Sequence, residues 1–166
     1  MPVLDEIEAA IPSLRAYARG LLRDRDGADD LVQDTLESAV AHLGQWRGDG
    51  ALRGWLFRIL LNRFRDGLRR GRGAPVVALL AEPAVPPAAD GRLQLAEVHA
   101  AMGRLPEDQR AALLLVGLEG MSIAEAAEVL GIAQGTLASR LGRARAALRQ
   151  MTGRDDDSRP RKGNGP

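Results

Sequence analysis

The sequence predicts an all-α protein made of two small helical bundles, the second of which contains a helix-turn-helix. Apolar residues recur at steps of three and four along most of the 166 residues, as they do on one face of an amphipathic helix. A Pro-, Ala- and Gly-rich stretch interrupts this spacing in the middle of the chain and predicts an extended, flexible linker. The expected division is a first bundle over residues 1–72, a linker over 73–91, a second bundle over 92–151 and a disordered tail over 152–166.

Two amphipathic helices are expected at the start of the first bundle. Residues 4–22 carry their apolar side chains at helical spacing, and we expect Pro12 to break or restart this helix near its own position. After a polar connection, Asp26 is placed to cap a second helix. The apolar face of the second helix consists of Ala28, Leu31, Val32, Leu36, Ala39, Val40 and Leu43.

The opposite face of the second helix is acidic. Three- and four-residue spacing places four polar side chains together there: Asp30, Gln33, Asp34 and Glu37. Such a face is usually only solvated, and a docking surface for a basic partner is the alternative, between which the spacing does not choose. Carboxylates at helical spacing without a glycine-bearing Asp loop are a weak metal signal, so we expect neither a metal nor a cofactor.

A third helix is expected from about Leu52 to Arg70, in a basic part of the chain. Residues 46–72 hold eight basic and two acidic side chains, whereas residues 1–45 hold four basic and nine acidic ones. The net charge of the whole chain is only +1, but these opposite local charges suggest two different partners. The polar stripe of this helix consists of Arg58, Asn62, Arg65 and Arg69. Its apolar face, expected in the core, consists of Leu52, Trp55, Leu56, Ile59, Leu60, Phe64 and Leu68.

Trp46 precedes the third helix in a loop that also contains Gly48 and Gly50. An aromatic ring in a loop beside a basic helix can stack on an unpaired nucleic-acid base. Packing of the indole onto the core explains the same residue equally well.

The second bundle is predicted to contain four helices. Leu95, Val98 and Met102 have helical spacing in the first of them. The second begins at the sequence LPED from residue 105, since proline suits a first helical turn and acids favour the positive end of the helix dipole. The third begins at a capping box formed by Ser122 and Glu125.

The turn after the third helix leads to a helix that is apolar on one side and basic on the other. Gly131 supplies the positive φ that a sharp turn needs. Residues 134–150 contain four arginines and no acid. This arrangement fits the major-groove helix of a helix-turn-helix, with a solvated amphipathic helix as the alternative. The polar side chains of the exposed side include Thr136, Ser139, Arg140 and Arg143.

Several classes of protein are disfavoured by the sequence. The chain has no cysteine, which excludes a disulfide framework and a thiolate metal site. No signal peptide is recognisable, and the longest apolar run, residues 111–116, is too short to span a bilayer, so a cytoplasmic protein without membrane insertion is expected. His42 and His99 lie in different bundles and no glycine-rich phosphate cradle follows a strand, so neither an enzyme nor a small-molecule substrate is expected.

Five motifs occur in an order that resembles one family. They are ADDLVQDT at 28–35, LRGWLFRI at 52–59, LPEDQR at 105–110, EGMS at 119–122 and GTLASRLGRAR at 135–145. The first two are similar to region two, and the last three to region four, of bacterial extracytoplasmic-function (ECF) sigma factors of the sigma-70 family. The resemblance covers about residues 10 to 150. It implies a factor that directs core RNA polymerase to promoters.

By this resemblance, each bundle has its own partner. Asp30, Gln33 and Asp34, with Glu37 beside them, match positions that dock on the clamp helices of the largest polymerase subunit. The third helix matches the element that recognises and melts the promoter −10 region, where a flipped base enters a pocket lined by Asn62 beside the Trp46–Gly50 loop. Candidates for phosphate contacts are Arg53, Arg58, Arg65, Arg69 and Arg70.

The last helix matches the element that contacts promoter DNA at −35. Thr136, Ser139, Arg140 and Arg143 are the candidates, with Ser139 and Arg143 preferred for base edges. Many relatives have a basic residue at the position of Ala138 and a larger side chain at that of Gly142, so weaker or differently specified −35 recognition is expected. The family also implies control by an anti-sigma factor.

Two other functions compete with this interpretation. A sigma-like decoy would sequester an anti-sigma factor without binding DNA; such decoys often carry a phosphoreceiver domain, for which 166 residues leave no room. A stand-alone helix-turn-helix regulator would explain the second bundle but would leave the first without a role.

Overall fold

Seven α-helices account for most of the part of the chain that the structure describes. The structure is a computed structural model and describes residues 2–48, 51–71 and 90–153. Its helices are α1 (Val3–Leu22), α2 (Arg25–Ala41), α3 (Leu52–Gly71), α4 (Asp90–Arg104), α5 (Glu107–Gly117), α6 (Ile123–Leu130) and α7 (Gln134–Met151), with a short 3-10 helix at Leu43–Gln45. The predicted all-α class with two helical bundles is confirmed.

The proposed domain boundaries remain predictions. Nearly all of the expected linker and tail lie outside the described residues. They include residues 76–80, whose sequence leaves open a transient helix or a contact segment. Among the residues that are described, no helix is both long enough and apolar enough to serve as a membrane span.

The first bundle consists of α1, α2 and α3, each packed on the other two. The expected break at Pro12 is wrong, because α1 is continuous through it. Pro12 is exposed, so water can satisfy the carbonyl that loses its helical N–H partner. Val40, which was assigned to the apolar face of α2, is also largely exposed.

The connection between α1 and α2 is shorter than expected. Arg23 takes a positive φ of 57° and donates its N–H to the carbonyl of Arg19, which ends α1. Asp24 then caps α2 by accepting bonds from the N–H groups of Asp26 (3.3 Å) and Gly27 (3.2 Å). The expected cap at Asp26 is therefore wrong. Only Arg23 and Asp24 separate the two helices, so Asp24 occupies the capping position and Asp26 already lies within the first turn of α2.

The second bundle contains the helix-turn-helix. The Ser122 side chain accepts from the N–H of Glu125, and the Glu125 carboxylate accepts from the N–H of Ser122, both at 3.1 Å, which confirms the capping box. Gly131 ends α6 with a φ of 66°, as the turn requires. The helix α7 packs on α5 and α6 through Leu137, Leu141 and Ala144.

The two bundles pack against each other around one continuous apolar core. The helix α1 contacts α5, and α3 contacts α6. Gly20 brings α1 close to α5, since a Cβ placed on it would lie only 2.8 Å from Leu114 Cδ1. Phe57 and Leu61, which lie outside the predicted apolar face of α3, are buried, and the Phe57 ring packs edge-on against Tyr17 with centroids 5.2 Å apart.

Candidate nucleic-acid interface

The acidic face of α2, defined by Asp30, Gln33, Asp34 and Glu37, is exposed along its whole length. Gln33 Nε2 donates to Glu37 Oε1 at 3.2 Å, which aligns these two side chains along the helix. Neither the other helices of the first bundle nor the second bundle cover this face. It is therefore available to a partner while the two bundles remain packed together.

The acidic face of α2 was a weak candidate for a metal site. Within residues 2–48, 51–71 and 90–153, no three His, Cys, Asp or Glu side chains converge as ligands of one ion. On the acidic face, Asp30 and Asp34 are exposed, and the Glu37 carboxylate accepts a hydrogen bond from Gln33.

Two of the candidate arginines on α3 contact the second bundle. Arg53 Nη2 donates to both the main-chain oxygen and the Oε2 of Glu119, each at 2.7 Å, and its guanidinium lies 5.6 Å from the centroid of the Phe57 ring. Arg58 Nη2 donates to the main-chain oxygen of Glu128 at 3.2 Å and lies 3.8 Å from its Oε1. The Arg53–Glu119 and Arg58–Glu128 contacts are the interbundle ion pairs.

The other candidate arginines of α3 lie further along the helix. Arg65 is partly buried, whereas Arg69 and Arg70 are exposed at the end of α3. Arg69 Nη1 lies 3.9 Å from Asp66 Oδ1, a loose surface pair that costs little to exchange for a phosphate. The end of α3 is therefore free to contact a nucleic-acid backbone in the observed arrangement.

Asn62 lies at a surface cavity of about 250 Å³ between α2 and α3. The cavity is lined by Ser38, His42, Gln45, Trp55, Ile59, Asn62, Arg63 and Asp66. It combines an aromatic ring with amide, imidazole and charged groups, which are the groups that bind a flipped base by stacking and hydrogen bonding.

Trp46 lies beside this cavity but does not line it. Its indole packs on that of Trp55 with ring centroids 6.5 Å apart, and it is partly buried against the core. Of the two open interpretations of Trp46, core packing is therefore observed. The aromatic residue that lines the cavity is Trp55, which was expected only in the core.

The exposed side of α7 carries three of the four candidates for duplex contacts. Thr136, Ser139 and Arg143 are exposed, as are Ala138 and Gly142, and a Cβ placed on Gly142 would meet nothing within 4 Å. Arg140 differs, because its Nε lies 3.6 Å from Asp108 Oδ2 and its side chain is largely covered. Arg140 thus forms an ion pair between α7 and the start of α5.

Two further residues that join the bundles, Tyr17 and Arg110, were not predicted from the sequence. Tyr17 is buried and donates its hydroxyl to the main-chain oxygen of Ala111 at 2.9 Å, and burial raises the pKa of this phenol above its ordinary value. Arg110 Nη1 donates to the main-chain oxygen of Leu21 at 3.1 Å, and burial lowers the pKa of its guanidinium. The sequence held one sign of this packing: Phe57 and Leu61 are apolar but lie outside the apolar face that α3 needs for its own bundle.

Comparisons with known proteins agree with this architecture. Residues 95–148 match the family described as sigma-70, region 4, and residues 7–61 match that described as the sigma2 domain of PhyR. The ECF RNA polymerase sigma factor EcfG of Rhodopseudomonas palustris is 42% identical over 151 residues, which covers 87% of this chain and 81% of the relative.

Two solved structures are similar across both bundles. The sigma factor RpoE in complex with the anti-sigma factor NepR from Bartonella quintana has 36% identity and a TM-score of 0.77, covering 92% of this chain and 98% of that one. CnrH in complex with the cytosolic domain of CnrY has 32% identity and a TM-score of 0.69, covering 91% and 87%. With a sigma2 domain matched over residues 7–61, sigma-70 region 4 matched over residues 95–148, and a relative that is 42% identical over 87% of this chain, the chain belongs to the ECF sigma factors of the sigma-70 family.

Proposed function

We propose that this chain is an RNA polymerase sigma factor that directs core polymerase to specific promoters in the cytoplasm and initiates transcription there, under the control of an anti-sigma factor. The observation that carries the proposal is the presence, in a chain of this family, of two uncovered surfaces of opposite charge. The acidic face lies on α2 of the first bundle, and the basic side of the helix-turn-helix lies on α7 of the second.

The acidic face is the proposed contact with polymerase. Asp30, Gln33, Asp34 and Glu37 are exposed, so docking requires no rearrangement of the first bundle. Opposite charge steers association and fixes its register more than it adds affinity. The basic clamp helices of the largest polymerase subunit are the partner that the resemblance implies.

The proposed −10 site combines α3 with the cavity between α2 and α3. The arginines at positions 53, 58, 65, 69 and 70 would hold phosphates, which positions the strand without reading its sequence. Asn62 would hydrogen-bond to an extracted base, with Trp55 as the stacking surface and Trp46 supporting it from behind. Base extraction costs a few kcal/mol, which a preformed cavity and nearby phosphate contacts can offset.

The proposed −35 site is the exposed side of α7. Thr136, Ser139 and Arg143 would face the major groove, with Ser139 and Arg143 at base edges. Arg140 remains a candidate, but its pairing with Asp108 favours a role in orienting α7, from which it reaches a phosphate only by releasing that acid.

Control by an anti-sigma factor is supported by the two structural relatives. RpoE was solved in complex with the anti-sigma factor NepR, and CnrH in complex with the cytosolic domain of CnrY; each likeness extends over about nine-tenths of this chain. A partner that binds both bundles at once would hide the polymerase-binding and DNA-binding surfaces together.

A second candidate function is a decoy that binds an anti-sigma factor and leaves DNA alone. It is favoured by the match of residues 7–61 to the sigma2 domain of PhyR. It is disfavoured by the basic side of α7 and by the exposed arginines at the end of α3, which a decoy does not need.

Run-off transcription with purified core polymerase and a library of promoter sequences tests both functions. We expect transcripts from a defined subset of the library only when the chain is present. A decoy would give none, yet would restore transcription by another sigma factor that its anti-sigma factor had inhibited. A stand-alone regulator would instead bind duplex tightly without polymerase.

A further inference from the structure

Three basic side chains from three parts of the chain meet where α1 ends. Arg110 of α5 is buried, and its Nη1 donates to the main-chain oxygen of Leu21 at 3.1 Å. Arg23 directly follows the last residue of α1, so its side chain starts two positions beyond that oxygen. His99 approaches from α4. Arg23, His99 and Arg110 together form the basic junction.

The guanidinium of Arg23 lies against the backbone of α4. A Cβ placed on Gly103 would overlap Arg23 Nη1, so glycine at this position makes room for the guanidinium. His99 lies one helical turn before Gly103, on the same face of α4. Burial lowers the pKa of both His99 and Arg110, and the charge of Arg23 lowers each of them further, which agrees with their closeness.

The positive charge of the two arginines is not neutralised by an ion pair. None of the ion pairs formed within residues 2–48, 51–71 and 90–153 includes Arg23 or Arg110. The neighbouring carboxylate of Asp24 accepts from the N–H groups that it caps on α2. Glu107 raises the pKa of Arg110 but does not pair with it. Because a buried arginine is ordinarily paired, the basic junction has an excess of positive charge that a bound anion would neutralise.

Arg110 also retains an unused hydrogen-bond donor. Its Nε is buried and has no partner within the described part of the chain. Buried donors of this kind are usually satisfied by an ordered water or an ion. Arg110 keeps 9% of its surface exposed, and Arg23 is exposed, so a small anion can approach both from solvent.

The chemistry of the basic junction favours a phosphate group. A guanidinium donates in a planar fork that matches two oxygens of a phosphate or a carboxylate. Donors that arrive from three parts of the chain suit a tetrahedral anion, which offers oxygens on several sides, better than a planar carboxylate. The recessed position of Arg110 admits a small anion and disfavours the backbone of a DNA duplex.

We infer that the basic junction is a binding site for a small phosphate-bearing anion, held by Arg23 and Arg110 with His99 at its edge. The anion would join the end of α1 to α4 and α5, and it would stabilise the folded chain as its concentration rises. The site involves neither polymerase nor promoter. Its test therefore uses the free chain, and its outcome is separate from that of the proposed function.

The two histidines of the chain allow a direct test by NMR. The imidazole signals are followed while orthophosphate or ADP is added at constant ionic strength, with acetate as the control anion. We expect a saturable shift of the His99 signal, with little change at His42, which lies in the first bundle on the cavity between α2 and α3. Tighter binding of ADP would identify a nucleotide as the source of the phosphate, and equal binding a free phosphate.

Substitutions outside the apolar core show whether the arginines hold the anion. Arg23→Gln should weaken orthophosphate binding at least about tenfold, since it removes charge-assisted hydrogen bonds. Arg15→Gln removes the same charge from an exposed position on α1 and should bind as wild type does.

A second pair of variants keeps every charge. Gly103→Ala displaces the Arg23 guanidinium and should weaken binding at least about threefold, because the charge stays but moves away. Gly67→Ala is the matched control, since a Cβ placed on this helical glycine of α3 meets nothing within 4 Å.

The pKa of His99 is an independent readout. A dianion bound beside it favours the charged imidazole, so saturating orthophosphate should raise this pKa against the opposing charges of Arg23 and Arg110. The inference is overturned if His99 shifts equally with acetate and orthophosphate, or if Arg23→Gln and Arg15→Gln bind alike. A response to duplex DNA alone also overturns it, because the basic junction would then be a contact for a nucleic-acid backbone.

Discussion

The hydroxyl of Tyr17 in α1 donates a 2.9 Å hydrogen bond to the main-chain oxygen of Ala111 in α5, 94 residues away in the sequence. Both residues are buried, and the Tyr17 ring also packs on Phe57. One side chain thus connects α1, α3 and α5. Its hydrogen bond exists only while the two bundles are packed together.

Replacing Tyr17 by Phe should lower the free energy of unfolding by about 1 kcal/mol, the usual net value of one buried hydrogen bond. The aromatic contact with Phe57 is kept, so the loss reports the hydroxyl alone. Urea unfolding of both proteins measures the difference. An unchanged midpoint and slope would mean that the Tyr17–Ala111 bond does not form in solution, and hence that the bundles do not pack as observed.

The same phenol should make stability depend on pH in the alkaline range. Burial raises its pKa above the ordinary value of 10.0, so the folded chain retains a proton that the unfolded chain releases. The stabilisation from the neutral phenol is complete below pH 10 and is lost as pH rises above it, because the unfolded state then binds fewer protons.

Alkaline urea titrations check this expectation cleanly, because Tyr17 is the only tyrosine and Lys162 the only lysine of the chain. Between about pH 10 and 11.5, the stability of the wild type should fall relative to that of Tyr17→Phe, because only the wild type carries the phenol. Parallel slopes for the two proteins would refute the assignment.

Local structure was predictable wherever neighbouring residues decide it. The Ser122–Glu125 capping box and the turn at Gly131 depend on side chains at most a few positions apart, and both form as expected. The positions of the helices were predictable for the same reason, since three- and four-residue spacing of apolar side chains is a local property. The cap of α2, expected at Asp26 and found at Asp24, shows the limit of such predictions, because the position of the cap after a two-residue connection depends on where α1 ends.

Contacts between the bundles were not predictable, because nothing near them in sequence requires them. Arg53 and Glu119 are 66 positions apart. From the sequence alone, Arg53 is also explained as an exposed charge on its helix, and Glu119 as one in the connection before the helix-turn-helix. Phe57 carried the one usable signal: an apolar residue outside a sufficient apolar face implies a second packing partner. The roles of the site residues on α2, α3 and α7 remain predictions.

Ala138→Lys should strengthen binding to −35 duplex. Ala138 is exposed on α7 beside Ser139, so a long basic side chain can reach a phosphate without disturbing the core. One added phosphate contact should steepen the dependence of log affinity on log salt by about 0.9. Fluorescence anisotropy at several salt concentrations measures both effects. Ala138→Gln supplies similar length without charge, and equal slopes for the Lys and Gln variants would contradict the prediction.

Reversing the charge of the acidic face should separate the chain from polymerase without unfolding it. Asp30 and Asp34 are exposed one helical turn apart on α2, so Asp30→Arg with Asp34→Arg alters the surface rather than the core. Like charges facing each other across an interface should weaken binding to core polymerase at least about tenfold. Glu8→Arg with Glu97→Arg gives the same change in net charge at exposed positions on α1 and α4 and should bind as wild type does. Equal affinities of the two double variants, measured by competition against labelled wild-type chain, would show that polymerase docks elsewhere.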